Sequence, residues 1–469
     1  MDKELYKILY VVREYAKVYN ITPYIVGGFI RDYLLGKNPR DIDFLIHPFN
    51  VDFIDHIVKI LNGRLVILDE ERKYFRIVIK NKEKTFVLDF TPIYQQNLLF
   101  EIIRRDFTIN SIVLNLKNFK IFDPLRGLED LERNVIKLSS PNSLREDPLR
   151  ILRVFRFGAS GFKIDKNVLE NIEKNSQNLS KIKPERIHEE IYKILKNPFT
   201  SHFWKEMEEY GVLKEIFPEL SKIKYIPWSK PHHENPLDHS ITTLYVLEDL
   251  FYNMDFLFPS IKKDLENYFS KNLFSEFTKK ETLKLTSLLH DIGKSKTYSI
   301  DEENLVHYYG HSKVGAEMIK EIAERLKLSN KELTFIQKLI RNHMYLIDLI
   351  KNPEIKTIHK LISRVNEDVP SLVFLFISDQ IAIKGNFENK DYFEKLLEEF
   401  FKLKNIPKPL LSGHEIMQLF NLNPSPIVGT LKEKLIEAQI EERVKTKEEA
   451  IKFLREILEN ERYSSGNNS

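Results

Sequence analysis

Along the first 140 residues or so, apolar positions fall in short runs rich in β-branched and aromatic side chains. Tyr24–Val26, Asp41–Ile46, Arg64–Leu68, Phe75–Ile79, Phe86–Phe90 and Ser111–Leu116 read as strands mixed with helices. From about Glu146 the apolar spacing becomes helical and stays so almost to the end. Ile187–Leu195 and Phe203–Leu213 read as amphipathic helices that close a first helical segment near Leu220. Lys224–Asn235, with its prolines and paired histidines, reads as a linker into a second helical block running from Leu237 to about Lys384. Pro407 and Pro409 punctuate the start of a helical tail, and the polar end Ser464–Ser469 is expected to be disordered. No internal repeat is visible. The expected fold class is α+β: a head of mixed sheet and helices over 1–140, then all-α segments over 141–223, 232–385 and 405–462.

Composition narrows this picture. The chain has 469 residues, too many for one ordinary core, so two to four domains are expected. Hydrophobic residues make up 42% and charged residues 30%, which fits a globular chain and not a disordered one. No apolar run approaches the length of a membrane span, so no membrane partner is expected. The opening MDKELYKILYVVREYAKVYN is a charged amphipathic helix, unlike a signal peptide. A cytoplasmic home is therefore the expectation. Zero cysteine excludes disulfide scaffolds, zinc ribbons and thiol nucleophiles. The net charge of +3 is too small to establish a nucleic-acid partner, although a local basic surface remains open.

Two regions carry candidate chemistry. YIVGGFIRDYLLG reads as a strand, a turn at Gly27 and Gly28, and a helix stopped by Gly36. Such a turn lets backbone N–H groups approach a triphosphate, with Arg31 one turn into the helix, though a plain tight turn reads the same way. In RDIDFLI, Asp41 and Asp43 are two apart, so both carboxylates share one face of a strand. Parallel carboxylates repel unless hard divalent cations neutralise them. Asp89, in FVLDF, is a third candidate. Three carboxylates on neighbouring strands could hold two Mg²⁺ ions about 4 Å apart for in-line phosphoryl transfer. Solvated strand-end acids are the plainer alternative for the D-x-D pair taken alone.

Taken in order, these segments resemble the DNA polymerase β-type nucleotidyltransferase superfamily. More narrowly, they resemble the bacterial class of tRNA nucleotidyltransferases and poly(A) polymerases. RRDFTINS (104–111) is similar to the motif whose Arg and Asp handle the nucleotide's sugar and phosphates, here Arg105 and Asp106. DPLRG (123–127) is similar to the motif joining head to neck, and KPERIHEEIYKIL (183–195) to the RNA-binding neck. REDPLRILRVFRF (145–157) is similar to the base-selecting Glu-Asp-x-x-Arg motif. Asp147 before Pro148 reads as an N-cap that starts a helix, with Arg150 on the same face. An Asp acceptor beside an Arg donor matches the pairing edges of cytosine and adenine and mismatches those of uracil and guanine. Each mismatch costs on the order of 1–3 kcal/mol. Arg153 and Arg156 support Arg150 or the triphosphate, or instead pair with acids such as Glu146. The resemblance implies tRNA, CTP and ATP as partners and Mg²⁺ as cofactor. Only fourteen residues, FTPIYQQNLLFEII, separate Asp89 from Arg104. A stretch this short resembles CC-adding enzymes, which leave the terminal A to a partner enzyme, whereas CCA-adding relatives carry a longer one. The expected activity is addition of C and A to the tRNA 3′ end. CC-only addition, A-only or poly(A) addition and a mainly hydrolytic role are the alternatives.

The second helical block places His239 in NPLDHS, His290 and Asp291 in LLHDIGK, and Asp379 in FISDQ. This order resembles the HD phosphohydrolase superfamily, with His311 and His343 similar to the extra histidines of its phosphodiesterase members. Imidazoles and carboxylates suit a divalent metal that activates water against a phosphate ester, and Lys294 could neutralise phosphate. Phosphatase or cyclic phosphodiesterase activity is what the resemblance implies. The tail from Leu410 is similar to the tRNA-touching C-terminal helices of the same enzymes, and His414 in it reads as structural.

Overall fold

The computed structural model describes residues 2–81, 84–93, 97–228, 233–351, 357–403, 409–441 and 443–465. Within them the backbone divides into two compact units: Met1–Arg186 with Glu209–Glu215, and Ile187–Glu208 with Ile216–Ser469.

The first unit is built on a seven-stranded sheet: β1 (Thr22–Val26), β2 (Asp41–His47), β3 (Arg64–Asp69), β4 (Tyr74–Asn81), β5 (Lys84–Pro92), β6 (Val113–Asn115) and β7 (Ile121–Phe122). The spatial order is β3-β4-β5-β2-β1-β6-β7. All neighbours are antiparallel except β2 and β5, which run parallel. The β2–β5 register sets Asp43 opposite Asp89, and the β4–β5 hairpin sets Arg76 opposite Asp89. Alternation does the rest. Phe44 and Phe90 point into the core and stack at 4.8 Å, so Asp43 and Asp89, one residue away in each strand, face the other side. Buried Val26, Leu45 and Val113 of the sheet cluster with Ile93, just after β5, and with Ile102 of the helix Leu98–Ile103. All six expected strands are present, and β7 is a short edge strand that its two residues do not announce. The short stretch after Asp89 is partly outside the described residues at 94–96; its described part continues β5 to Pro92 and then forms the helix Leu98–Ile103.

The expected helix start at Asp147 needs correction. Ser143–Glu146 is a helical turn with Asp147 as its C-cap, and the next helix is Arg150–Ala159. Pro148 sits in a turn closed by Arg150 N–H on the Asp147 carbonyl, while the Asp147 side chain accepts from Leu149 N–H. Asp147 thus does a cap's work one turn before regular helix begins.

The second unit is helical, with two small hairpins (272–278 and 299–307) that the helical periodicity hides. Helices Pro236–Tyr252, Lys279–Leu289, Asn330–Asn342 and Val369–Lys384 form its centre, and the last is buried along most of its length. The helix expected over Phe203–Leu213 ends earlier, as Ser201–Glu209, where Gly211 takes φ +71. Part of the linker (229–232) and Pro407 lie outside the described residues. The tail packs its own core around Leu431, Leu435 and Leu454. Its last helix, Lys447–Ser465, takes in the first two residues of the end expected to be disordered; 466–469 are not described. Among the described residues, no helix is long and apolar enough to cross a membrane.

Candidate active site

In the first unit, β1 delivers the chain to Gly27, which has φ +80 and ψ −151 and caps the helix Gly28–Leu34. That conformation is open to glycine almost alone. It brings the turn so close to Asp43 that an added Cβ would lie 2.6 Å from Asp43 Oδ2 and 2.9 Å from Arg105 Nη1. Gly27, Gly28, Arg31, Asp43, Arg105, Asp106, Asp147, Arg150, Arg153 and Arg156 line one cleft of about 410 Å³, together with Arg104 and Asn110. Asp41 lies two residues before Asp43 on β2, and Asp89 beside Asp43 on β5. The structure therefore gathers every residue singled out from the head motifs.

The charges in this cleft are arranged in opposition. Burial pushes the Asp43 carboxyl up; Arg105 pulls it down, Asp89 and Asp41 push the same way as burial, and the net direction is up. Such a group is stabilised as a carboxylate by a nearby cation, which is the behaviour expected of a metal ligand. Asp89 instead holds Arg76 by two bonds of 2.8 Å. Asp106 is buried, which would raise its pKa. The Arg153 guanidinium, 2.5 Å from Oδ2, and hydrogen bonds from Asn110 and Phe107 outweigh burial and hold it below the usual range. Arg153 is thus paired with Asp106, not with Glu146; it is Arg150 that lies 3.9 Å from Glu146. Arg150 donates to the Arg104 carbonyl at 2.6 Å and to Ser143, which fixes its guanidinium. Arg31 donates to Asn110 and lies over the Phe157 ring. Asp147 pairs with Arg186 at 3.1 Å. Sequence reasoning assigned no role to Arg76, Arg104, Asn110 or Arg186. Arg104 could have been found inside RRDFTINS; Arg76 and Arg186 are placed only by tertiary pairing.

In the second unit, His239, His290, Asp291, His311, His343 and Asp379 come from separate helices and helix ends into one buried cluster. His239 Nε2 lies 2.8 Å from Asp379 Oδ1, and His290 Nε2 lies 3.3 Å from Asp291 Oδ2 and 3.6 Å from Asp379 Oδ1. His311 Nε2 is 3.4 Å from Asp291 Oδ1 and 3.2 Å from His343 Nε2. In His290, His311 and His343 the Nδ1–H donates to the backbone carbonyl three residues earlier, at 2.7–2.9 Å, leaving Nε2 free to face the cluster. That outer bond is the usual means of fixing a metal-binding imidazole. Asp291 Oδ2 is buried without a well-formed hydrogen bond, although Lys294 Nζ stands 2.5 Å away. Burial opposes charge throughout, yet the facing imidazoles hold Asp291 and Asp379 well below the usual carboxylate range. Burial would likewise lower His290, but Asp291 and Asp379 raise it to about 10. Burial and its two histidine neighbours take His343 down to about 3. His239, His290 and Asp379, and again His290, Asp291 and His343, bring ligand atoms within 4.8 Å of one another. The donor set fits a divalent transition metal. His414 is exposed on the tail helix Gly413–Phe420, away from this set.

Fold and site together define a nucleotidyltransferase head joined to helical segments that carry an HD-type ligand cluster. Residues 23–137 match the poly A polymerase head domain. Residues 161–224 match the probable RNA and SrmB-binding site of polymerase A, and residues 236–381 match the HD domain. The chain belongs to the bacterial class of tRNA nucleotidyltransferases and poly(A) polymerases that carry an HD domain. It is 28% identical to the A-adding tRNA nucleotidyltransferase of Deinococcus radiodurans, over 93% of this chain and 95% of that one. It is 29% identical to the CC-adding tRNA nucleotidyltransferase of Thermus thermophilus, over 92% of each. The multifunctional CCA protein of Pasteurella multocida is 28% identical over 79% of this chain and 86% of its own length. The fold is shared with the Thermotoga maritima CCA-adding enzyme solved with tRNA. That structure has a TM-score of 0.61 and 19% identity over 98% of this chain and 96% of the other. Heads and HD domains of these kinds generally use divalent metals.

Proposed function

We propose that this chain extends the 3′ end of tRNA with C and A, taken from CTP and ATP, without a nucleic-acid template. The observation that carries the reading is the register of Asp43 beside Asp89 and two residues from Asp41, with Asp43 in the lining of an arginine-rich cleft. In the division of labour proposed, 1–140 is the catalytic head, 141–223 the neck, 232–385 the HD segment and 405–462 the tRNA-binding tail. Asp41, Asp43 and Asp89 would hold Mg²⁺, which lowers the pKa of the attacking hydroxyl and neutralises triphosphate charge. Gly27 and Gly28 admit the phosphates close to the backbone. Arg31, Arg153 and Arg156 supply positive charge to the triphosphate. Arg105 and Asp106 orient the sugar-phosphate portion. Asp147 and Arg150 offer an acceptor and a donor to the base edge shared by C and A, with Arg150 held by Ser143 and the Arg104 carbonyl. A tRNA substrate fits a cytoplasmic location, which we propose for this reaction.

His239, His290, Asp291 and Asp379, with His311 and His343, would hold one or more divalent metals that activate water. We read this cluster as a phosphohydrolase acting on phosphate esters at RNA ends, with Lys294 neutralising phosphate.

The function is tested on a tRNA transcript ending at the nucleotide before its terminal C-C-A, with CTP alone or with CTP and ATP. Growth by two and then three nucleotides is the expected result. A stop at two when ATP is present would assign CC addition, the reading that the short stretch after Asp89 favours. A long A tail would assign poly(A) synthesis, one A added only to a transcript already ending in C-C would assign A addition, and no extension of either transcript would overturn nucleotidyl transfer.

A further inference from the structure

Segments 225–228 and 298–309 of the second unit carry solvent-facing rings. Tyr225 is 79% exposed, Trp228 51%, Tyr298 48% and Tyr309 78%. Large aromatic side chains are seldom left in water as a set without a partner to cover them. Tyr225 and Tyr298 both line one cleft of about 530 Å³, a volume suited to a small organic group. Lys222 and Lys296 line it too, both exposed. Two acids share the lining, but Arg325 holds Glu219 at 2.7 Å, and Lys296 lies 4.0 Å from Glu321.

Chain adjacency and a short set of contacts link this cleft to the ligand cluster. Lys294, 2.5 Å from Asp291, lies 5.0 Å over the ring of Tyr308. The Tyr308 hydroxyl donates to the carbonyl of Pro227, the residue before Trp228, and the Tyr308 carbonyl accepts from His311. Tyr309 stacks on His307 at 5.0 Å, two residues before His311. Ser295 and Lys296, in the turn of helix Lys294–Thr297, line the cleft directly after the cluster's lysine. Flat rings alternating with lysines are the chemistry that single-stranded nucleic acid recognises: bases stack on the rings and phosphates meet the ammonium groups.

We infer that Tyr225 and Tyr298, with Lys222 and Lys296, form a docking cleft for single-stranded RNA that leads the strand's 3′-terminal phosphate to the HD cluster. The inference rests on the phosphohydrolase reading above and adds to it the residues that would hold the RNA strand beyond the reacting phosphate. A small phosphate ester has no base to stack and does not use the cleft.

The test uses the full chain and a single-stranded RNA hexamer carrying 4-thiouridine and a 3′-phosphate. Photocrosslinking, mapped by mass spectrometry, is expected to label segments 222–228 and 294–309. In the Tyr225→Ala/Tyr298→Ala variant, labelling of those segments is expected to fall at least tenfold, the size of one lost stacking contact. Tyr298→Phe, which keeps the ring, is expected to stay within twofold. In parallel, the ratio of kcat/KM for hexamer dephosphorylation to that for glycerol 2-phosphate, which has no ring, is expected to fall about tenfold in the double variant. Circular dichroism melting of each variant separates this from misfolding. Labelling confined to the head cleft, or unchanged by loss of both rings, would overturn the inference. Labelling of those segments by a chain that hydrolyses neither substrate would keep the docking cleft and overturn the hydrolase reading instead.

Discussion

Gly27→Ala separates backbone strain from damage to the carboxylate site. At φ +80 and ψ −151 an alanine is strained by about 1–3 kcal/mol. Its Cβ would also stand 2.6 Å from Asp43 Oδ2, where ordinary contact begins at 3.4 Å. The carboxylate must therefore retreat by about 0.8 Å, and Arg105 Nη1, 2.9 Å from the same Cβ, must give way with it. A misplacement near 1 Å at the reacting centre costs about a hundredfold in rate, or about 2.7 kcal/mol of activation free energy. Gly36→Ala is the control. It has φ +76 but nothing within 4 Å of an added Cβ, so it carries strain without the clash. Single-turnover incorporation of CTP into tRNA, with melting temperatures measured beside it, reads both terms. The expectation is that both variants lose stability, Gly27→Ala by more, and that only Gly27→Ala loses rate, by about a hundredfold. Gly27→Ala within threefold of the parent, or Gly36→Ala equally slow, would refute the argument.

Three further outcomes follow from the packing. Arg153→Ala leaves Asp106 buried without its charge partner, so the Asp106 carboxyl rises; the acid limb of the CTP-incorporation profile should move to higher pH, and Arg153→Lys should move it less. Asp368 is buried between Lys279 at 2.5 Å and Lys338 at 2.6 Å, so Asp368→Asn should cost about 3–5 kcal/mol in urea unfolding. Burial raises the Asp368 carboxyl, the two lysines outweigh it, and its folded pKa lies below the ordinary 3.8. Its contribution is therefore complete above pH 3.8 and disappears as pH falls through the lower folded value; the unfolding free energy of Asp368→Asn should lack that part of the acid dependence. Asp291→Ala should abolish metal uptake by the second unit, measured by isothermal titration with Mn²⁺ or Ni²⁺, and leave CTP addition within twofold.

Much of the head was legible because its information is local. The strands around Asp41 and Asp89 are dense in branched and aromatic residues. A two-residue spacing on a strand requires Asp41 and Asp43 to share a face. What chain pattern could not supply is pairing across distance. Arg76 reaches Asp89 only because β4 and β5 form a hairpin with that register, and Arg186 reaches Asp147 from 39 residues away. The helix start after Asp147 was displaced because a proline turn mimics a cap. In the second unit the ligand types could be read in order, but their convergence depends on helix packing, with 140 residues between His239 and Asp379. The buried Lys279–Asp368–Lys338 group left no sequence signal, since each member looks like an ordinary surface charge.

The central claim is that the head carboxylates, and not the HD cluster, add nucleotides to the tRNA end. It is tested most directly by single-turnover extension of a truncated tRNA transcript, with CTP, ATP and Mg²⁺, by the parent, Asp41→Ala and Asp291→Ala. Extension by the parent and Asp291→Ala, with Asp41→Ala slower by at least a thousandfold, is the predicted result. Extension that survives Asp41→Ala, or that is lost in a folded Asp291→Ala, would contradict it.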